Sequence, residues 1–375
     1  LKRKILFVTG SRGEYGYIRP IIKLIQKSKK LDYSVLATNL HLLSNFGNTI
    51  DEFAKDKIKV DHVIPMCLDG YTNETMIKSL GIYFQSFCDY LTNNRPDIIL
   101  LAGDRGEQLI SAIVGFHLNI PVAHIQAGEL SGNVDGMSRH AITKFAHIHF
   151  PSNQDAFNRL MKMGEEVFRI FNVGAPQLDE IYANKHTSKD KLLKKYHLED
   201  KTTGIILQHS ITEESDKAYS QMKAVLDACG KFDYQYVIIY PNNDAGSLAI
   251  QDSIQKNKNS NMHVLKSIPR EDYLGLMHIS KFIIGNSSSG ILEAPSIPLL
   301  AINIGKRQEG RLQGGNVVNV KNYVVDELCK VIQQIDWIEL GNYNPYGDGK
   351  SSQKIVEILE KIEINDSWLI KRMTY

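Results

Sequence analysis

The sequence predicts an α/β protein built from two Rossmann-like domains that face a cleft. Three observations lead there. The chain has 375 residues, more than one core usually serves at roughly 100–200 residues per domain. Short apolar runs ending in Gly, Asp or Glu alternate with helix-length segments, the signature of a doubly wound parallel sheet. The alternation breaks once, across the polar, Lys-rich residues 183–203, and then restarts.

In chain order, "KILFVTG" reads as a buried strand followed by the amphipathic helix "IRPIIKLIQKS", and "YSVLATN" as the next strand. "DIILLAGD" leads into "RGEQLISAIVGFHLN", "PVAHIQAGE" into "SRHAITKFA", and "HIHFPSN" into "QDAFNRLMKMG", with "VFRIFNVGAP" as a further strand. These define a first domain over 1–182, and 183–203 is expected to be a linker carrying a short helix. A second domain over 204–351 holds "GIILQHS", "YQYVIIYPNND", "MHVLKSI", "KFIIGNSSSG" and "PLLAINIG", and closes with "VVDELCKVIQQI". The tail, 352–375, has helical spacing and is expected to cross back onto the first domain. Ligands of such sheets sit outside the carboxyl ends of the strands. Two facing domains therefore suit a nucleotide carrying a sugar.

Composition excludes several classes. Forty-four Lys and Arg against 42 Asp and Glu give +2, so bulk charge does not attract nucleic acid or an anionic membrane. A hydrophobic fraction of 43% and a charged fraction of 23% argue for globular cores. Cys67, Cys88, Cys229 and Cys329 are scattered without metal-type spacing, as expected of reduced thiols in a cytoplasmic protein. The opening "LKRKILFVTG" is too short in apolar residues for a signal peptide. No run approaches the ~18 apolar residues of a membrane span. His147 and His149 read as strand alternation rather than a metal pair, because no third ligand has suitable spacing.

The chemistry concentrates on the strand ends. "KFIIGNSSSGILEAPS" passes from strand through a turn to a helix, where free N–H groups and the helix dipole favour an anion. One serine would cap a helix; Ser287, Ser288 and Ser289 between Gly285 and Gly290 exceed that need. The GxxxxGK[ST] spacing of a P-loop is absent. Glu293 would repel a phosphate beside it, yet suits a ribose diol, so the stretch reads as a nucleoside diphosphate site; the plain alternative is a solvent-facing glutamate. Arg12 in "GSRGEYG" is a cation on the same rim. Asp104 in "AGDRGE" is either the ion-pair partner of Arg105 or a catalytic base. "HIQAGELSGNVDGMSRHAI" adds Gln126, Glu129, Asp135, Arg139 and His140. Asp135 is either a helix N-terminal carboxylate or a second carboxylate near Asp104, which would raise one pKa and permit acid–base work. In the second domain His209 of "LQHSIT" either touches a diphosphate or departing oxygen or is a satisfied loop histidine, and "GKRQEGR" brings Lys306, Arg307 and Arg311 either to the ligand or to a solvated surface loop.

Taken together these stretches resemble the hydrolysing UDP-N-acetylglucosamine 2-epimerase family, in its sialic and legionaminic acid branch. "TGSRGEYG", "GDRGE", "AGELSGNVDGMSRHAITKFAHIHF", "NVGAP", "YPNNDAGS", "GNSSSGILEAPS" and "INIGKRQEGR" follow the family's order over nearly the whole chain. The resemblance implies a glycosyltransferase-B-like fold, a UDP-sugar substrate, no metal or other cofactor, and a homodimer or higher homo-oligomer. It implies anti elimination of UDP to a 2-acetamidoglycal, then hydration to a free manno-configured sugar. By the same resemblance Asp104, Asp135, Glu129 and His209 are catalytic. Arg12, Arg139, His140, Asn243, Ser287, Ser288, Ser289, Gly290, Glu293, Arg307 and Arg311 bind the substrate or its UDP. One departure stands out: many relatives read HIEGGE, with a catalytic first glutamate, where this chain reads "HIQAGE". A neutral amide is no general base, so Gln126 either positions substrate or marks another sugar. The first implied substrate is UDP-N-acetylglucosamine, giving N-acetylmannosamine, and the alternative is UDP-N,N'-diacetylbacillosamine, giving 2,4-diacetamido-2,4,6-trideoxymannose. The competing readings are a non-hydrolysing epimerase, a glycosyltransferase of the same fold and a non-enzymatic nucleotide-sugar sensor.

Overall fold

The computed structural model describes residues 2–341 and 343–374. Among these, twelve strands form two parallel sheets of six. The first holds β1 (Arg3–Thr9), β2 (Leu31–Thr38), β3 (His62–Ile64), β4 (Ile98–Ala102), β5 (Val122–Ile125) and β6 (Ile148–Phe150), in the order β3-β2-β1-β4-β5-β6. The second holds β7 (Thr203–Leu207), β8 (Gln235–Ile239), β9 (Met262–Leu265), β10 (Phe282–Gly285), β11 (Leu300–Ile304) and β12 (Val317–Val320), in the order β12-β11-β10-β7-β8-β9. Both sheets share the Rossmann winding. Their chain order reverses between β1 and β4 and between β7 and β10, where such sheets open a crevice for ligand.

The central strands are legible because helices cover both of their faces: β4 is Ile-Ile-Leu-Leu-Ala and wholly buried. The edge strands β3 and β12 are short and half-exposed, and carry no such run. The segment expected as a strand at "VFRIFNVGAP" forms a 3₁₀ turn, Val167–Arg169, with one isolated bridge between His149 and Ile170.

After β1 the helix Arg12–Ile25 starts in a capping box, with Ser11 and Glu14 satisfying each other's backbone N–H groups. Ile18, Ile21, Ile22 and Ile25 turn one face to the first sheet, and Ile355, Val356 and Leu359 of the tail helix Ser351–Lys361 join the same core. Buried Arg169 fastens the chain beyond that helix, donating to the carbonyls of Ser367, Trp368 and Ile370 at 2.7, 2.7 and 3.1 Å. The second core draws in Ala175, Leu178 and Ile181 from ahead of the Lys-rich stretch. Within that stretch the helix Lys189–Tyr196 buries Leu192, while Lys195 and Tyr196 both donate to Asp272 of the second domain. His147 and His149 are buried structural groups. His147 Nδ1 accepts from Val122 N at 3.1 Å, and His149 Nε2 meets Glu165 at 3.0 Å.

Candidate active site

The cleft is lined from the carboxyl ends of both sheets. From the first domain come Arg12 after β1, Asp104 after β4, Gln126 after β5, and Asp135 and Arg139 from the helix Val134–Phe145. Opposite them stand His209 after β7, Ser287, Ser288, Ser289 and Glu293 after β10, and Arg307 and Arg311 after β11.

The turn after β10 needs its glycine. Gly285 has φ +137°, and a Cβ there would lie 2.2 Å from the Leu207 carbonyl oxygen. That close approach lets Asn286 stitch the two central strand ends together. Its Oδ1 accepts from His209 N and its Nδ2 donates to His209 O, both at 2.8 Å. Gln308 and Arg307 donate to the Asn286 carbonyl at 2.9 and 3.3 Å. The helix that follows is only Ser289–Leu292, continued as a 3₁₀ turn over Ala294–Ser296.

Glu293 is buried, not solvent-facing. Its Oε1 pairs with Arg270 and its Oε2 accepts from Ser289 Oγ, each at 2.5 Å. Arg270 neutralises the carboxylate while leaving lone pairs free for further donors. A glutamate one turn from an anion site is thereby tolerated. The same bonds correct the expectation for Ser289: its hydroxyl donates to Glu293 and accepts from Tyr273 at 2.5 Å, so it holds the glutamate in place.

On the first rim, Asp104 pairs with buried Arg139. Arg139 also donates to Glu129 O, Leu130 O and Ser131 Oγ at 3.1, 3.2 and 3.0 Å. Arg105 is therefore not the partner of Asp104. It pairs with Glu107 at 3.1 Å and crosses the cleft to Asp244 and Asn243, both at 3.0 Å. Burial works to raise the Asp104 pKa, but the guanidiniums of Arg139, Arg311, Arg307 and Arg105 outweigh it and hold the carboxyl below its usual range. Asp135 goes the other way. Burial, then the charges of Asp104 and Asp244, push it up to about 6, against Arg307 and a 2.7 Å bond from Asn133. Two carboxyls with opposed shifts on one rim are the arrangement that divides labour between a lasting charge and a proton acceptor.

His209 is pushed well below its ordinary pKa by burial and by Arg307, Arg12 and Arg105. Its Nδ1 accepts from Asn242 N at 3.2 Å. The neutral ring then carries its proton on Nε2, as a donor.

Among the described residues, three guanidiniums facing the cleft lack a carboxylate partner. Arg12 reaches Ser267 Oγ and Tyr240 O at 3.2 and 3.3 Å. Arg311 donates to Leu130 O and Gln308 Oε1 at 2.8 and 3.1 Å. Arg307 has the Asn286 carbonyl. Matched carboxylates and unmatched cations in one crevice suit a multiply charged anion with hydroxyls attached.

Four expected site residues lie behind the lining. Glu129 is buried with its Oε1 accepting from Asn153 at 2.7 Å. His140 follows Arg139 on its helix, about 100° round the axis, and turns off the face that Asp135 and Arg139 share. Asn243 accepts from Arg105 and donates to Asn39 at 2.7 Å, joining the domains. Gly290 packs toward Ala301 of β11. Sequence reasoning missed Arg270 and Tyr273, which line the cleft from the helix Arg270–Ile279. Their signal was present: the helix follows β9 and so opens on the functional rim.

Among the described residues no helix is long and apolar enough to cross a membrane, and no three His, Cys, Asp or Glu are grouped to hold a metal.

Comparison with known proteins adds lineage. The sequence model of a family described as UDP-N-acetylglucosamine 2-epimerase matches residues 23–360. The UDP-N,N'-diacetylbacillosamine 2-epimerase (hydrolyzing) of Legionella pneumophila is 35% identical over 375 residues, covering 100% of both chains. The polysialic acid biosynthesis protein P7 of Escherichia coli is 32% identical, covering 92% of this chain and 90% of its own. In fold, the chain superposes on a crystal structure of UDP-GlcNAc 2-epimerase from Neisseria meningitidis bound to UDP-GlcNAc. The TM-score is 0.80 at 22% identity, over 96% of this chain and 100% of that one.

Proposed function

Because the chain belongs to the UDP-N-acetylglucosamine 2-epimerase family, we propose that its cleft takes a UDP-2-acetamido sugar and releases UDP and the free, C2-inverted sugar. The observation that carries the reading is the division of charge. Arg12, Arg307 and Arg311 have no carboxylate partner among the described residues, and they share the cleft with the opposed pair Asp104 and Asp135. The diphosphate sits at the turn of Ser287 and Ser288 with those cations, and Glu293 accepts from the ribose diol.

In the first stage the C1–O bond breaks and UDP leaves with the electron pair. Positive charge builds on the sugar, and the C2–H electrons then close the C1=C2 double bond. Asp104, held ionised, stabilises the cationic sugar. Asp135, the more basic carboxylate, takes the C2 proton. Nε2–H of His209 faces the departing oxygen. In the second stage hydroxide from water adds at C1, and a proton reaches C2 from the face opposite the one it left. Glu129 acts from behind, through the Arg139 that its carbonyl helps to orient.

For the sugar, UDP-N,N'-diacetylbacillosamine comes first and UDP-N-acetylglucosamine second. The support is the full-length likeness to the Legionella enzyme; a Neisseria UDP-N-acetylglucosamine 2-epimerase stands at 28%. The test is proton NMR in D2O with each nucleotide sugar in a separate tube. Free manno-configured sugar with one deuterium at C2 is the expected product. UDP-linked epimer would move the chain to the non-hydrolysing branch, and retained C2–H with sugar transfer would make it a transferase.

A further inference from the structure

Gln126 occupies an unusual position on the rim. It stands one residue past the last paired rung of β4 and β5, Ala102 with Ile125, and so lies beside Gly103 and next to Asp104. Its backbone takes the left-handed conformation, φ +61°, which L residues other than Asn and Asp rarely adopt. The Gln126 N–H still bonds the Phe150 carbonyl at 3.0 Å, so strand pairing is kept while the side chain is turned into the cleft. Gln126 is 1% exposed, and its amide nitrogen has no hydrogen-bond partner among the described residues. A buried N–H₂ without an acceptor is costly unless a ligand supplies one. A strained backbone that holds an amide with an unpaired donor at the wall of a cleft points to binding.

The surroundings select the acceptor. A phosphate oxygen at this spot would lie against Asp104 and close to Asp135, so the acceptor is uncharged. Sugar hydroxyls can donate to those carboxylates and need no amide. An acyl carbonyl only accepts, and no carboxylate can hold it. The first-domain donors beside these carboxylates are already engaged, Arg139 with Asp104 and Asn133 with Asp135, while Arg307 and Arg311 are assigned to the diphosphate in the function proposed above. We infer that Gln126 is a specificity residue whose amide N–H reads the N-acyl carbonyl of the sugar. The inference rests on the function proposed above and goes further, giving the neutral residue at the "HIQAGE" position a task that a carboxylate cannot perform.

The experiment compares wild type with Gln126→Met, which keeps length and loses the donor. The isosteric Gln126→Glu carries the test if the Met variant does not fold. Substrates are the two UDP-sugars and their thioacetyl analogues, whose sulfur accepts weakly, with sulfur placed at C2 or, in the diacetamido sugar, at C4. Wild type should prefer the oxo substrate by about 10- to 100-fold in kcat/KM, the range for a buried unpaired hydrogen bond. In the variant that preference should shrink to within about two-fold, while UDP affinity stays at the wild-type value and the thermal midpoint does not fall. The position at which sulfur matters identifies the acyl group read. An equal oxo preference in wild type and variant overturns the inference, as does a loss matched by an equal loss in UDP affinity. If wild type releases no free sugar from any tube, the proposed function fails instead. The same oxo-to-thio ratio, read as Kd of the intact UDP-sugars, then still decides the role of Gln126.

Discussion

Replacing Asp135 by Asn should stabilise the protein at neutral pH and abolish C2 proton exchange. The stability gain follows from the raised pKa. An unfolded aspartate ionises near 3.8, whereas Asp135 in the fold ionises at about 6. Below about pH 4 both states are protonated and the group costs nothing. Between the two values the unfolded chain loses its proton first, so the native state is progressively disfavoured. Above about pH 6 the penalty is constant. A gap of about two pH units corresponds to about 3 kcal/mol, and partial solvent access at the cleft mouth reduces this to roughly 1–3 kcal/mol. Asn keeps an oxygen for the Asn133 amide and carries no charge. The assay is urea denaturation of both proteins at pH 4 and pH 7.5. The variant's advantage should be near zero at the lower pH and open up at the higher. The wild-type kcat/KM should rise with pH through about 6, as the base deprotonates, and the Asp135→Asn variant should show no C2 deuterium incorporation. A stability gap independent of pH, or one that closes as pH rises, would falsify the assignment of Asp135 as a carboxyl raised by burial and by Asp104.

Two further outcomes test other parts of the site. Arg270→Met leaves Glu293 buried with Ser289 as its remaining partner. About 3–5 kcal/mol of stability should be lost, with at least tenfold weaker UDP binding by calorimetry. Adding Glu293→Gln should recover stability but not UDP affinity, and recovery of both would remove Glu293 from the ribose site. Arg105→Met cuts the bonds to Asp244 and Asn243 across the cleft. The scattering radius of the ligand-free variant should exceed that of wild type, and an unchanged radius would mean that Arg105 does not hold the domains together.

The two sheets were legible because each central strand is a short run of Ile, Val and Leu that ends in a turn residue. β3 and β12 were not: each is a short edge strand with a single buried residue, so little in its sequence marks it as sheet. The rim residues Arg12, Asp104, Asp135, His209 and Glu293 were legible for a topological reason: strand ends after parallel strands must point to one side. Partner choice was not. Asp104 neighbours Arg105 in sequence, yet the extended Arg105 backbone, φ −70° and ψ 159°, turns that guanidinium toward Asp244, 139 residues away. Arg139, 35 residues on, takes the aspartate instead. Ser289 reads as one of three equal hydroxyls, and only the tertiary position of Glu293, four residues on, commits it elsewhere.

The charge pattern explains why the anion turn tolerates a glutamate and why that glutamate matters. Asp104 and Glu293, on opposite walls of the cleft, each pair with a guanidinium, Arg139 and Arg270, the latter also reaching Glu180 at 3.5 Å. Among the described residues, the side chains of Arg12, Arg307 and Arg311 bond only neutral oxygens. A ligand that engages all three must supply negative charge, as a diphosphate does. It must also bring hydroxyls for carboxylates that are already neutralised, as a ribose and a sugar do. An inorganic phosphate meets the first demand and a nucleoside the second. Meeting both takes a nucleoside diphosphate sugar spanning the two domains.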